Sequence, residues 1–577
     1  MDGSISLRFS KTLSILVLCL ISACNLGSQT AKPSESATLV LHNGTIATVD
    51  ETAPEVQALA VKGDRILALG SDAEIKAYIG DSTEVIDLQG RFAMPGFIEG
   101  HGHFMGIGHA KTILDLRSPA NWDSIVSMVA EAVAAAKPGE LIEGGGWHQD
   151  KWDKPPSPEV EGFPTLESLS RVSPDNPVVL THASGHASFV NAKALEIANI
   201  GPHSPDPQGG EILRDKDGKP TGLLRETAQG LTRLIGSGGS AEDRLATQRK
   251  MARLASQECL NKGITSFHDA GSSFATVDLF KQLADEGKLG VRLWVMIRAD
   301  NAALEANLAK YRSIGYGDNH LTVRAIKVSI DGALGSRGAW LLDPYSDAPD
   351  LSGLNLVPIE SVRRTAELAM QHDYQFGIHA IGDRGNREVL DIYQQTFEAN
   401  PQKKDLRWRV EHAQHLNPAE IPRFGSMGII ASMQAVHCTS DGTWVPDRLG
   451  DKRSEEGAYV WQKLMQSGAV VTNGTDAPVE DVSPIASYYS AISRKLSDGS
   501  VFYPDQRMSR LEALKSYTIN CAYAAFEEDL KGSLAKGKLA DIVVLSKNLL
   551  TAPVEEVPST EVLTTIVGGK VVYKKGK

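Results

Sequence analysis

Between about residues 92 and 525 the chain repeats one pattern, a short apolar run followed by a helix-length amphipathic stretch. Eight apolar runs stand out, at 92–98, 263–268, 291–297, 323–330, 375–379, 408–412, 428–433 and 469–474. Between them, 275–286, 359–372, 384–398 and 457–467 carry helical periodicity. Strand–helix alternation argues for βα units around a parallel sheet. Eight such units predict an α/β fold of the (β/α)8 TIM-barrel type, with its chemistry at the carboxyl ends of the strands. The first gap, 104–262, is far too long for one helix. It has strand signals of its own at 140–144 and 177–181, and turn-rich segments at 153–158 and 202–210. It therefore reads as an inserted subdomain over the barrel mouth, able to shape the pocket and exclude water.

Both ends of the chain show a different rhythm, short strands punctuated by tight turns. Leu39-Val40-Leu41 precedes His42-Asn43-Gly44, and Asn-Gly between apolar runs is a strong hairpin signal. A second hairpin follows around Lys62-Gly63-Asp64. The C-terminus repeats the theme at 540–545 and 562–573, with Gly568-Gly569 between two runs. Neither end has enough strands for a stable sheet by itself. One small β-sandwich composed of 37–91 and 530–577, with the barrel of 92–529 inserted, is the expected solution, and its role is structural.

The first residues read as an address. Arg8 and Lys11 precede an apolar run from Leu13 to Ile21, then Ser22-Ala23-Cys24. A basic start, a short apolar core and small residues before a cut site describe a secretory signal over 1–23. Ile21-Ser22-Ala23-Cys24 resembles the lipobox of bacterial lipoproteins, in which the cysteine carries lipid and becomes the mature N-terminus. Asn25 follows where an inner-membrane retention signal would have aspartate, and 24–36 has the small, polar character of a tether. The expected location is the bacterial cell envelope, anchored to the membrane through lipid on Cys24, on the non-cytoplasmic side.

Composition narrows the function classes. The 577 residues exceed one ordinary core, and 42% hydrophobic with 23% charged residues is a globular balance. A net charge of -12 without a basic stripe argues against a nucleic-acid partner. Beyond the N-terminal segment of 1–36 the cysteines are Cys259, Cys438 and Cys521, with no CxxC spacing, so neither a disulfide framework nor a thiolate metal site is indicated.

Candidate chemistry stands at the ends of the predicted strands. The first run leads through Pro95-Gly96 to His101-Gly102-His103. Alternate residues of a strand share a face, so both rings can aim at one point, and neutral imidazole is the commonest ligand for zinc-like ions. The fourth run carries Lys327, the fifth ends in His379, the sixth in His412 after Glu411, and Asp476 follows the eighth. Lys327 is the odd member, because an ammonium with pKa near ~10.4 has no lone pair to give. Burial lowers that pKa, and a neutral amine can add carbon dioxide to become an anionic carbamate ligand. His186, Arg337, Gln434 and His437 are candidates for contact with substrate. Asp383 and Glu411 are candidates for orienting His379 and His412, since ligating histidines donate their other nitrogen to an acceptor.

The order HxH, Lys, His, His, Asp resembles the metal-dependent amidohydrolase superfamily. The flanking text is similar to its amidohydrolase-3 branch, with the N-substituted formamide deformylases. The matching stretches are Pro95-Gly96-Phe97-Ile98-Glu99-Gly100-His101-Gly102-His103, Asp331-Gly332-Ala333-Leu334-Gly335-Ser336-Arg337-Gly338-Ala339, His379-Ala380-Ile381-Gly382-Asp383, Glu411-His412-Ala413-Gln414 and Gly474-Thr475-Asp476-Ala477-Pro478-Val479. The resemblance implies that His101, His103 and Asp476 hold one divalent ion, with zinc the expected metal. His379 and His412 would hold or approach a second, and carboxylated Lys327 would bridge the two. It also implies hydrolysis of an amide-type C–N bond in a small molecule by metal-activated water, Asp476 relaying the proton to the leaving nitrogen. A cyclic imide, lactone or N-acyl amino acid at the same site stays open as the substrate. A catalytically silent binding lipoprotein is a further alternative, disfavoured because Asp476 and both strand-one histidines are present.

Overall fold

The structure, a computed structural model, describes residues 35–233, 235 and 240–576; the leader and Cys24 lie outside the described residues. Eight parallel strands form the central sheet in chain order. They are Phe97–Gly102, Ile264–Ser272, Arg292–Ile297, Leu321–Ser329, Gln375–Ala380, Arg409–His412, Ile430–Met433 and Val471–Asn473. Their side chains are almost wholly buried, as expected where helices cover one face and the barrel interior the other. Strand eight meets strand one through loop bonds that nearly close the barrel. Asp476 N–H donates to the His101 carbonyl at 2.8 Å, His103 N–H to Ala477 at 2.7 Å, and Thr475 N–H to the Glu99 carboxylate. At this seam a Cβ on Gly100 would lie 2.5 Å from the Asn473 carbonyl oxygen, so only glycine permits the approach.

Phe92–Pro95 departs from expectation. The run 92–98 is not one barrel strand; its first part pairs antiparallel with Ile542–Leu545 and parallel with Thr45–Ala47. Pro95-Gly96 turns the chain from one sheet into the other, and hydropathy is blind to the turn because both halves are buried. The resulting six-stranded sheet runs Lys570–Lys574, Val562–Val567, Ile542–Leu545, Phe92–Pro95, Thr45–Ala47, Glu55–Val56. The turn between its last two chain segments has Gly568 at φ 54 and Gly569 at φ 71, both in the region two-residue hairpins require. Against it lies a four-stranded sheet, Arg65–Gly70, Ala58–Lys62, Leu39–His42, Glu84–Asp87. Leu39, Leu41, Leu59 and Val61 from one sheet and Ile542, Val544 and Ile566 from the other share one apolar core.

Between barrel strands one and two the chain builds a six-stranded sheet, Gly210–Arg214, Pro220–Glu226, Ala187–Val190, Val178–His182, Ile142–Trp147, Leu114–Asp115. Helix Trp122–Ala135 covers it through Trp122, Ile125 and Val129. The flanking helices Phe104–Ala110 and Ala241–Asn261 instead bury Phe104, Ile107, Ala252, Ala255 and Cys259 in the barrel core. The insert thus hangs between two helices that belong to the barrel wall.

Candidate metal centre

Strand one ends with His101 buried and His103 partly open to a cavity of about 520 Å³. Lys327, His379, His412 and Asp476 line the same cavity, with His186 reaching it from the insert. One ligand atom each from His101, His412 and Asp476 lie within 4.8 Å of one another. This trio crosses the two ligand sets the resemblance implies, because His412 joins His101 and Asp476. Asp476 Oδ1 stands 3.1 Å from His103 Nε2 and 3.5 Å from His101 Nε2. His379 packs edge-on against His412 with ring centroids 4.4 Å apart. Both His412 (φ 76) and Asp476 (φ 56) hold left-handed backbone, a strain of about 1–3 kcal/mol that concentrates at functional sites.

The imidazoles are oriented from behind. His101 Nδ1 meets Glu411 Oε2 at 2.5 Å, and His412 Nδ1 meets Gln434 Oε1 at 2.7 Å. Both partners accept, which puts the proton on Nδ1 and leaves the Nε2 lone pair free. Arg409 fixes Glu411 through Nε–Oε1 at 2.7 Å and Nη2–Oε2 at 3.0 Å, and also bonds the Gly100 carbonyl and Ser432. Burial pushes the Glu411 carboxyl up, but Arg409 and His101 outweigh it and hold it well below the usual carboxylate range. Asp476 is likewise held low, His101 and His103 overcoming its burial. Burial brings the Lys327 ammonium down to about 7.

Two sequence expectations about orientation are corrected. Glu411 serves His101, not its neighbour His412, because adjacent strand residues point to opposite faces. Asp383 accepts from Leu342 N–H at 2.9 Å and does not meet His379; the carboxylate beside His379 is Asp331, with Oδ1 3.5 Å from Nε2. Asp331 itself is clamped by the N–H groups of Trp340, Ile381 and Gly382. Of the substrate candidates, His186 lines the main cavity and His437 a small adjoining one. Gln434 is spent on His412. Arg337 faces away, its Nη2 on Asp347 at 2.9 Å, and lines neither cavity.

Sequence reading missed Arg409 and Glu226. Glu226, at the end of an insert strand, accepts from His186 Nδ1 at 2.6 Å. Burial pulls His186 down, yet the Glu226 carboxylate more than offsets it, so the imidazole titrates above its ordinary value. A charged pair inside an apolar strand, Arg409-x-Glu411, was a signal that could have been followed, because a buried charge requires a partner.

Three buried site atoms, His101 Nε2, His379 Nε2 and Asp476 Oδ1, have no hydrogen-bond partner among the described residues. His101, His412 and Asp476, whose ligand atoms lie within 4.8 Å of one another, are a donor set for a divalent transition-type ion and fit one, while His379 Nε2 stands beside Asp331. A parallel barrel with this set at its carboxyl mouth defines the class of barrel-borne metal-dependent hydrolases. The chain belongs to the amidohydrolase family, whose family model matches residues 84–573. It is 34% identical to Protein LONG AFTER FAR-RED 3 of Arabidopsis thaliana over 99% of this chain and 98% of that protein. It is more distantly similar, at 27% identity over 93% of this chain and 98% of the other, to the N-substituted formamide deformylase of Arthrobacter pascens. Among solved structures it is similar to an uncharacterized metal-dependent hydrolase from Pyrococcus horikoshii, at TM-score 0.71 and 26% identity, over 90% of this chain and 99% of that one.

Proposed function

We propose that the chain hydrolyses a non-peptide, amide-type C–N bond of a small molecule at a divalent-metal centre, most suitably zinc. The observation that carries this reading is the convergence of unpartnered His101 Nε2 and Asp476 Oδ1 with His412 at the floor of the cavity. His101, His103, His412 and Asp476 would hold the ion, with His379 and a carboxylated Lys327 as ligands for a second. A bound divalent cation supplies Lewis acidity, acidifying water and polarising a carbonyl oxygen. Asp476, kept ionised by its histidines, accepts the proton of the attacking water and delivers it to the leaving nitrogen. Water adds across the C–N bond, yielding a carboxylic acid and an amine. His186, held by Glu226, supplies a hydrogen-bond donor to substrate from the insert side.

Purified protein is expected to contain about one to two divalent ions per chain, by elemental analysis. Asp476→Asn should abolish turnover of N-acyl and N-formyl compounds while the circular dichroism spectrum stays native; an active variant rejects the proton relay. The leader sequence supports a second part of the proposal, that lipid on Cys24 anchors the chain in the bacterial cell envelope. Cys24→Ser should then shift the protein from the membrane to the soluble fraction.

A further inference from the structure

His186 stands in the turn 183–186 that joins insert strands Val178–His182 and Ala187–Val190. Glu226 holds its Nδ1 at 2.6 Å, but one bond by itself leaves the imidazole free to swing. The rest of its support runs the other way, through an unbroken hydrogen-bonded chain. His186 N–H donates to Ser184 Oγ at 3.2 Å, and Ser184 Oγ stands 2.8 Å from His182 Nδ1. His182 Nε2 lies 3.0 Å from Gln149 Oε1, and Gln149 Nε2 donates to Asp150 Oδ2 at 3.1 Å. The same Asp150 oxygen accepts from Arg448 Nη2 at 2.9 Å. Arg448 belongs to the barrel, on the short helix Val445–Leu449 beyond strand seven, and its Nη1 bonds Asp347. The chain thus starts on the barrel and ends at the cavity.

Every proton along it has one place. The Asp150 carboxylate only accepts, so Gln149 turns its N–H to Asp150 and its carbonyl oxygen to His182. That oxygen accepts from His182 Nε2–H, which leaves the Nδ1 lone pair for Ser184. The Ser184 hydroxyl donates to it, and so does the Ser184 backbone N–H at 3.1 Å. A neutral imidazole suits this place because it donates at one nitrogen and accepts at the other on a rigid ring. Burial pushes His182 down to about 3, so the ring stays neutral near pH 7. Trp147 and His148 fix its plane, with ring centroids 4.7 and 4.6 Å away. A buried network with its members satisfied is rigid.

Resting on the hydrolase reading above, we propose that His182 is a positioning residue for the reaction. Through Ser184 it sets where the His186 donor stands, and through Gln149, Asp150 and Arg448 it ties that place to the barrel. The need for such a link follows from the build of the site. Its metal ligands come from barrel strands, whereas this donor comes from the insert, and a misplacement of about 1 Å between them can cost ~100-fold in rate.

The experiment uses the full chain loaded with zinc, assayed on N-formyl and N-acetyl amines, in a double-variant cycle of His182→Leu and His186→Leu. His182→Leu should lower kcat/KM by about tenfold or more with zinc content unchanged. Combined with His186→Leu it should cost no more than His186→Leu alone, because the ring acts only through that donor. His182→Asn, whose amide oxygen can stand where Nδ1 stands, should recover part of the loss. Losses that multiply, or zinc that leaves with the ring, overturn the proposal. Should His182→Leu not fold, Gln149→Met, which breaks the chain one step earlier, takes its place in the cycle under the same outcomes. If none of the amides is hydrolysed, the hydrolase reading fails separately. Carbethoxylation of His186 by diethyl pyrocarbonate, followed by mass spectrometry, then decides the role of His182. A rate several-fold above wild type in His182→Leu or Gln149→Met supports that role, and an unchanged rate overturns it.

Discussion

Gln434 decides which nitrogen of His412 faces the cavity, although it touches the cavity nowhere itself. With its amide oxygen 2.7 Å from Nδ1, it fixes both the tautomer and the ring plane. Its other contact, Nε2 to the Ser432 carbonyl, locks the amide so that the oxygen must point at the imidazole. Removing such a partner typically weakens metal binding by about 10–100-fold. Gln434→Leu is therefore expected to lower zinc affinity within that range in competition with a chromogenic chelator, while Arg337→Leu, whose guanidinium serves Asp347, leaves it intact. The contrast separates two residues the sequence could only treat alike. Residue type and strand-end position made it legible that His103, Lys327, His379, His412 and Asp476 would face one cavity, with His101 beside them. Their supporters were not, because Glu411 reaches His101 across the barrel and Gln434 reaches His412 from the next strand. Those pairings depend on register between strands distant in sequence, which no local pattern encodes.

At the scale of elements, eight apolar runs were enough to give the barrel, because strands covered by helices on one face and core on the other must be apolar. The failure at Phe92–Pro95 has the same cause in reverse: a strand buried in the sandwich has the hydropathy of one buried in the barrel. The insert was legible only as a long gap with strand signals, whereas its six-stranded order, mixing parallel and antiparallel neighbours, was not. Its attachment to the site depends on Glu226. The buried carboxylate holds His186, and its Oε1 lies against Gly332 and Gly338 of the loop after barrel strand four, where a Cβ would collide with it. Insert and barrel loop therefore meet over one carboxylate. A charge-assisted bond of about 1.5–3 kcal/mol corresponds to roughly a tenfold or greater change in local opening. Glu226→Ala should accordingly raise amide hydrogen exchange across 183–190 and 330–340 by about tenfold or more while zinc content holds. Exchange confined to residue 226 and its neighbours would show that the insert is held by other contacts.

For the whole molecule, the question is what fixes the sandwich to the barrel, since the chain passes between them only near Gly96 and again after the last barrel helix. Apolar packing of Phe92, Met94, Val543 and Leu545 into the barrel core is one part of the answer, and Arg292, the first residue of barrel strand three, is the charged part. It pairs with Asp541 beside the C-terminal sandwich strand, Nε–Oδ2 at 2.8 Å and Nη2–Oδ1 at 3.1 Å, while Nη1 bonds the carbonyls of Asp318 and Asn319. Asp541 Oδ1 also accepts from Gly568 N–H at the hairpin turn. Both side chains are nearly inaccessible, at 2% and 5%. Burial alone would raise the Asp541 carboxyl, but Arg292 and the Gly568 amide outweigh it and hold it below the ordinary value. Breaking one partner of a buried pair costs about 3–5 kcal/mol, because the other charge is left without compensation. Asp541→Asn should therefore destabilise the chain by about that much at pH 7 in urea unfolding. The sign of the pH dependence follows from the lowered carboxyl: its stabilisation is complete above the unfolded-state value near ~3.9 and fades as pH falls through the lower folded value. The gap between wild type and variant should thus stay level from pH 7 to about 5 and narrow only below about 4. A gap that closes near neutral pH would mean that a histidine, not this carboxylate, joins the sandwich to the barrel.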